Sequence, residues 1–265
     1  MNTQNRSKAV ALVTGASSGI GAVYAERLAA RGYDLILVAR REARLEGVAK
    51  RISAQYDLNI RSIVADLSNA EDLANIVQVI QQADALETIV NCAGTGALGL
   101  AQQVETQTVT NMLSVNITAL TVLALAAAKR FSAQKFGKII NIGSVVAAMP
   151  VAGAGAYSGS KAYVLNFSKS LQAELKTVGV QVQVVMPGPI KTEFFGDTPA
   201  PFPEHLFMSA ENLVDASLTA FDQGEVVTFP SLADLNVWQQ YEQQRGVLIQ
   251  HLNQTGEVAA RYQSV

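Results

Sequence analysis

Cysteine and histidine are almost missing from this chain. Among its 265 residues Cys92 is the only cysteine, so an intrachain disulfide is excluded and a cysteine-built zinc site lacks ligands. His205 and His251 are the only histidines, no motif places them together, and no metal is expected. Charge is scarce too: 16% of residues are charged and the net charge is −2, which leaves no electrostatic footprint for nucleic acid or for an anionic membrane. Long apolar runs are lacking. The most apolar stretch, Ala119 to Ala128, ends at Lys129-Arg130 and is too short to span a bilayer. Met1 to Lys8 is polar, without the apolar core of a signal peptide. A soluble, cytoplasmic protein is expected. No internal repeat or low-complexity linker interrupts the chain, which reads as one domain over 1–265, long enough to bury a sizeable core.

What the chain does have is hydrophobic residues, 49% of the total, in a regular order. Ala9 to Val13 is a short apolar run of the kind that forms a buried parallel strand, and it stops at Thr14-Gly15. Ile20, Val23, Tyr24, Ala25 and Leu28 then follow at helical spacing up to Gly32. The turn between them holds Gly15, Gly19 and Gly21, which permit a tight bend, leave room for a ligand and let the helix pack closely on the strand. A helix start offers free N–H groups and a positive dipole end, which suits a pyrophosphate.

The alternation continues. Strands are predicted at Leu35 to Val38, Ile60 to Ala65, Glu87 to Asn91, Lys138 to Ile142, Val180 to Met186 and Glu225 to Phe229. Helices are predicted at Glu42 to Tyr56, Asn69 to Gln82 with Asn69 or Ser68 as N-cap, about Val104 to Phe131, and Tyr157 to Val178. This pattern demands a mostly parallel, doubly wound α/β sheet of about seven strands with helices on both faces. Ligands of such a sheet bind outside the carboxyl ends of its strands. The glycine turn, Arg40, Asp66, Asn91 to Gly94, Ser144 and Pro187 to Pro189 all fall at those ends. One irregular stretch, about 190–208, carries Pro199, Pro201 and Pro203 among aromatic residues and reads as a substrate loop or lid. A glutamine-rich, helix-like segment lies in a C-terminal extension, about 231–265.

Tyr157 and Lys161 stand four apart at a helix start, on one face, so the ammonium can lie near the phenol. A neighbouring cation favours the phenolate and lowers the phenol's pKa, which fits proton exchange with a substrate oxygen. Ser144 can donate a hydrogen bond to the same oxygen. Cys92 has no histidine near it in sequence to activate it as a nucleophile.

Thr14-Gly-Ala-Ser-Ser-Gly-Ile-Gly21, Asn91-Cys-Ala-Gly94, Ser144, Tyr157-Ser-Gly-Ser-Lys161 and Pro187-Gly-Pro189, in this order, resemble the pattern of the short-chain dehydrogenases/reductases, over roughly Lys8 to Thr192. The resemblance implies a Rossmann-type fold, with Tyr157 as catalytic acid/base. Lys161 would lower its pKa and bond the nicotinamide ribose, and Ser144 would hold the substrate carbonyl. Asn116 would support a relay water. It also implies cofactor contacts from the turn residues Gly15, Ser17, Ser18, Gly19, Ile20 and Gly21, from Asp66 and Leu67 at the adenine, from Asn91, Ala93 and Gly94, from Pro187 and Gly188, and from Ile190 and Thr192 at the carboxamide. Cys92 stands where the family has a second asparagine, which touches local packing only.

The choice of dinucleotide rests on charge. At the end of the second strand, where an acid would bind the ribose hydroxyl of NAD, the chain has Ala39-Arg40-Arg41. A guanidinium there binds a 2′-phosphate, so NADP(H) is expected over NAD(H), read by Arg40, with Ser17 or Arg41 next in line. The expected partners are a small, apolar carbonyl or alcohol substrate and a second copy of the chain, as a homodimer or homotetramer, because Leu120 to Ala128 with Val164, Leu165, Phe167 and Leu171 exceeds what one sheet face covers. A sugar-nucleotide epimerase or dehydratase, and a dinucleotide sensor without catalysis, are the alternatives. The Gly-x-x-x-Gly-x-Gly spacing and short C-terminal part disfavour the first, and the presence of Ser144, Tyr157 and Lys161 disfavours the second.

Overall fold

The computed structural model describes residues 8–195, 202–252 and 256–263. Residues 196–201 of the expected substrate loop, including Pro199 and Pro201, lie outside the described residues, as do 1–7, 253–255 and 264–265. Contacts divide the chain into two compact units, Met1–Pro230 and Ser231–Val265.

In the first unit seven strands, β1 (Val10–Thr14), β2 (Asp34–Ala39), β3 (Ile60–Val64), β4 (Leu86–Asn91), β5 (Gly137–Ile142), β6 (Val180–Val185) and β7 (Val227–Thr228), form one sheet in the order β3-β2-β1-β4-β5-β6-β7. Every pairing is parallel. The last strand pairs over two residues, shorter than the five expected, because as the edge strand it has only β6 to bond. Chain order reverses direction between β1 and β4, and this gap at their carboxyl ends is the switch point of the sheet.

Side chains alternate along each strand, and the alternation sorts them into two cores. Ala11, Val13, Leu35, Leu37, Val90 and Ile140 point to one face, under the helices α1 (Gly19–Ala30), α2 (Glu42–Ser53) and α7 (Ala210–Asp222). Leu12, Ile36, Val38, Ile89, Ile139 and Val182 point to the other, under α3 (Ala70–Gln82), α5 (Leu120–Gln134) and α6 (Gly155–Leu175). Asn69 caps α3 by accepting from Glu71 and Asp72 N–H at 2.9 and 3.1 Å. A continuous run of buried strand residues therefore serves both faces, as two-sided burial requires.

The helical region expected from Val104 onward is not one regular helix. A short helix α4 (Thr106–Leu113) passes through a π-helical segment, Ser114–Ala119, into α5. The whole length, Thr106–Gln134, is long and apolar enough to cross a membrane by length and composition alone, which corrects the shorter apolar span read from sequence. Its inner side, Leu120, Leu123, Ala124, Ala127, Ala128 and Phe131, is buried in the second core. Leu125 on α5 and Tyr163 on α6 remain exposed, and Tyr163 stacks on Phe167 with ring centroids 5.7 Å apart.

The second unit carries α8 (Leu235–Gln250), capped by Asp234, which accepts from Asn236 N–H at 2.9 Å. Trp238 and Tyr241 stack along it at 5.3 Å.

Two glycines separate packing from propensity. A Cβ on Gly137 would stand 2.2 Å from Phe131 Cγ at the root of a fully buried ring, so Gly137→Ala is expected to lower unfolding free energy by about 1–3 kcal/mol through overpacking. Gly47, inside α2 with open space around it, is the control: Gly47→Ala should raise stability by roughly 0.5–1 kcal/mol. Denaturant unfolding of both variants measures the contrast.

Candidate active site

Strand ends deliver most of the candidate side chains to the switch point. Thr14, the last residue of β1, is buried, and its hydroxyl accepts the N–H groups of both Cys92 and Ala93 at 3.0 Å just beyond β4. That clamp presses the glycine turn on the neighbouring backbone. Gly15, at φ +69°, has no space for a side chain, since a Cβ would stand 2.9 Å from Ala93 N. A Cβ on Gly21 would stand 2.4 Å from Gly15 O, so α1 can start tight against the turn only with glycine there. Above the turn opens a cleft of about 530 Å³. Gly15, Ser17, Ser18, Gly19, Ile20, Gly21, Arg40, Asp66, Leu67, Ala93, Gly94 and Thr192, all expected from sequence, line it.

Ser144, Tyr157 and Lys161 are not among the residues lining the cleft; they lie beside it, next to Gly94 and Phe194, which are. Ser144 follows β5 and is buried; its hydroxyl donates to Pro187 O and accepts from Val146 N–H, both at 3.4 Å. Tyr157 stands in the first turn of α6 and Lys161 one turn later. Lys161 is buried, donates to Ile142 O at 2.9 Å, and holds its nitrogen 5.7 Å from the centroid of the Tyr157 ring. Gly94 lets the cleft reach this group: a Cβ there would approach Asn116 Oδ1 to 3.3 Å and Lys161 Nζ to 3.8 Å.

The electrostatics correct one expectation. Burial pushes the Tyr157 phenol up to about 12, and the force working against burial is a hydrogen bond with Ser144, not the lysine. Burial also brings Lys161 down to about 8, because its ammonium has been taken out of water. With protein groups alone, then, Tyr157 holds its proton at neutral pH. Cys92 is pushed up to about 12 by burial and stays a thiol, which agrees with its reading as a packing residue.

Asn116 sits buried within the π-helical segment. Its side chain is engaged with the main chain of Thr95, accepting from Thr95 N–H at 3.0 Å and donating to Thr95 O at 2.9 Å, with Ser160 Oγ at 3.4 Å. It fixes the irregular segment that follows Gly94. Asn91 is likewise turned away from the cleft: its amide donates to Asn141 Oδ1 at 2.9 Å and ties β4 to β5. Ile190 packs in the first core, because the backbone around it bridges to Met208. Pro187 supplies its carbonyl to Ser144 Oγ and Val145 N–H, and neither it nor Gly188 is among the residues lining the cleft.

The far end of the cleft is charged. Arg40 lies 3.8 Å from Asp66, both exposed. Burial raises the Asp66 carboxyl, yet hydrogen bonds from Ser68 and the Arg40 charge outweigh it and hold the group below its ordinary value. Arg41, second in line on sequence, is the residue bonded to the turn, donating to Ser18 Oγ at 2.6 Å and Ser17 Oγ at 3.3 Å. Sequence reading assigned no site role to Thr14, Glu193 or Phe194. For Thr14 the signal was present, a polar residue closing an apolar strand; for Glu193 and Phe194 the partners lie far off in sequence. Among the described residues, no three His, Cys, Asp or Glu side chains are grouped to hold a metal.

The profile described as short chain dehydrogenase matches residues 9–201. A solved structure described as a short-chain dehydrogenase from Sphingobium yanoikuyae in complex with NADPH is 38% identical, spans 96% of this chain and 100% of its own, and superposes with a TM-score of 0.92. The bulky-bulky ketone specific alcohol dehydrogenase from Comamonas testosteroni, also 38% identical, spans 96% of this chain and 98% of its own with a TM-score of 0.88. The 3-oxoacyl-(acyl-carrier-protein) reductase of Salmonella typhimurium is 33% identical over 185 residues, 69% of this chain and 74% of its own.

The buried lysine leaves a mark on stability. A lysine depressed in the fold sheds its proton at about pH 8, whereas in the unfolded chain it keeps it to near its ordinary value, so the unfolded state binds more protons in between. Stability contributed by this group therefore rises with pH above about 8. Lys161→Met should remove a slope of up to ~1.4 kcal/mol per pH unit between pH 8 and 9, below the range in which Tyr157 opposes it. Denaturant titrations of both proteins at these pH values check it; parallel curves would contradict it.

Proposed function

This chain belongs to the short chain dehydrogenase family, and on that basis we propose that it is an NADP(H)-dependent oxidoreductase moving a hydride between the nicotinamide and the carbonyl or secondary alcohol of a small, apolar substrate. The observation that carries the reading is the convergence of Ser144, Tyr157 and Lys161 beside Gly94 and Phe194, which line the cleft over the glycine turn. Gly15 and Gly21 fit a dinucleotide because, without side chains, the turn lies tight against Ala93 and α1 starts tight against the turn, which leaves the helix start, Gly19 to Gly21, lining the cleft for a pyrophosphate. When bound, the nicotinamide supplies or accepts the hydride at the substrate carbon.

The chain's own groups manage the oxygen. Tyr157, protonated at neutral pH, hands its proton to the carbonyl oxygen in reduction. Ser144, hydrogen-bonded to the phenol, donates to the same oxygen and holds it in line. Lys161, fixed by the Ile142 carbonyl, places positive charge beside the ring as phenolate forms. Asn116 acts as a positioning residue through Thr95. Phe194 packs against Tyr157 at 5.6 Å between ring centroids, giving the substrate side an apolar wall. The likeness to a structure that holds NADPH supports the cofactor in this reading, and the likeness to a bulky-bulky ketone specific alcohol dehydrogenase supports a carbonyl or alcohol as the reacting group. Exposed Leu125 and Tyr163 on neighbouring helices support a homodimer or homotetramer.

Oxidation of NADPH by a panel of ketones tests the activity. Tyr157→Phe, which removes only the hydroxyl, should bind the dinucleotide and lose about 10²–10⁴-fold in turnover. A variant keeping more than about half the activity would remove Tyr157 from the acid/base role.

Cofactor choice is tested separately. The end of β2 carries Ala39-Arg40-Arg41 where an acid would select NAD, and both arginines line the cleft. The wild type should favour NADPH by roughly 10–150-fold in kcat/KM, the worth of one charged hydrogen bond, and the double variant Ala39→Asp with Arg40→Leu should erase that preference.

A further inference from the structure

Glu193 is an acid set where a phosphate-binding cleft has gathered its cations. It begins a short turn, Glu193–Phe195, and lines the same cleft as the glycine turn. Its Oε2 accepts from Arg41 Nη1 at 2.9 Å and also from Arg44 Nη1. Arg41 in turn reaches Ser17 and Ser18 through its other nitrogen. Two guanidinium groups, one of them braced by two hydroxyls of the turn, thus surround a single carboxylate oxygen. That is the donor set a phosphate monoester takes. The arginines hold the Glu193 carboxyl below its ordinary value, so it is ionised at neutral pH. All three side chains are about half exposed, and exposed pairs of this kind exchange readily for another anion.

We propose that Glu193 occupies the anion subsite of the 2′-phosphate of NADP(H) and so helps set cofactor specificity as a built-in competitor for Arg41 and Arg44. The inference rests on the NADP(H) reading above. A dinucleotide that carries the phosphate displaces the carboxylate; one that lacks it leaves the carboxylate in place. The competitor is also joined to the catalytic end, because the next residue, Phe194, lies against Tyr157. Arrival of the phosphate at the adenosine end therefore releases the residue next to Phe194, whose ring packs on Tyr157.

Calorimetric titration of wild type and Glu193→Gln with adenosine 2′,5′-bisphosphate, adenosine 5′-monophosphate, NADPH and NADH tests it. Glutamine keeps the shape and removes the charge. The variant should bind the bisphosphate and NADPH about three- to tenfold more tightly, with 5′-monophosphate and NADH changed less than about twofold, as expected for loss of an exposed competing ion pair. Equal changes for all four ligands would overturn the proposal in favour of a clasp over any dinucleotide. Weaker or unchanged bisphosphate binding would overturn it outright. Failure of the cofactor reading is seen elsewhere, in wild-type protein that binds NADH as tightly as NADPH; a selective gain for the bisphosphate in the glutamine variant would support the competitor even then.

Discussion

The site depends on how closely two peptide segments approach at the switch point of the sheet. Thr14 takes both N–H groups that follow β4, which leaves Gly15 against Ala93 with no volume between them. Everything on the cleft floor inherits its position from that contact. The start of α1 is set because Gly21 rests on Gly15 O, and Gly94 leads on toward Lys161 because the segment from Cys92 is held at its beginning by Thr14 and after Gly94 by Asn116 through Thr95. A threonine suits this post: its hydroxyl can accept twice at the end of a strand whose own N–H partners have run out.

Burial then does opposite things to the two groups beside the cleft. It keeps the Tyr157 proton on and makes the Lys161 proton easier to lose. Both shifts come from the same cause, the exclusion of water, which disfavours whichever form is charged. Ser144 partly relieves the tyrosine, and the Ile142 carbonyl gives the lysine one fixed acceptor.

Much of this was legible in the residues. Strand period and helix period alternate so regularly that the parallel sheet, its order of elements and the strand ends that carry the site follow from patterning alone. The glycine turn was readable for the same reason, since strand, turn and helix each have a distinct spacing. What was not readable depends on pairing at long range. Arg41 rather than Arg40 reaches the turn because α2 begins there and rotates it toward Ser18, a matter of helix phase. Glu193 meets partners 149 and 152 positions away, with no local pattern to announce it. Asn91 and Ile190 carried motif positions but turned to the sheet and the core, where neighbours on β5 and at Met208 claimed them. The effect of Lys161 on Tyr157 was misjudged because spacing gives proximity and says nothing of how much water is left.

The π-helical segment around Asn116 has an effect on helical phase along its whole length. Met112 before it and Phe131 after it are both fully buried, and the 19 positions between them exceed by one the roughly 18 residues that five α-turns take at ~3.6 per turn. The wider turn absorbs that extra residue at the one place where a side chain, Asn116, is needed for Thr95. It works as a phase shifter: upstream and downstream portions keep their apolar sides inward while an additional position is threaded between them. The same shift smears the apolar stripe when the stretch is drawn as a single wheel, although each portion taken by itself keeps one side inward.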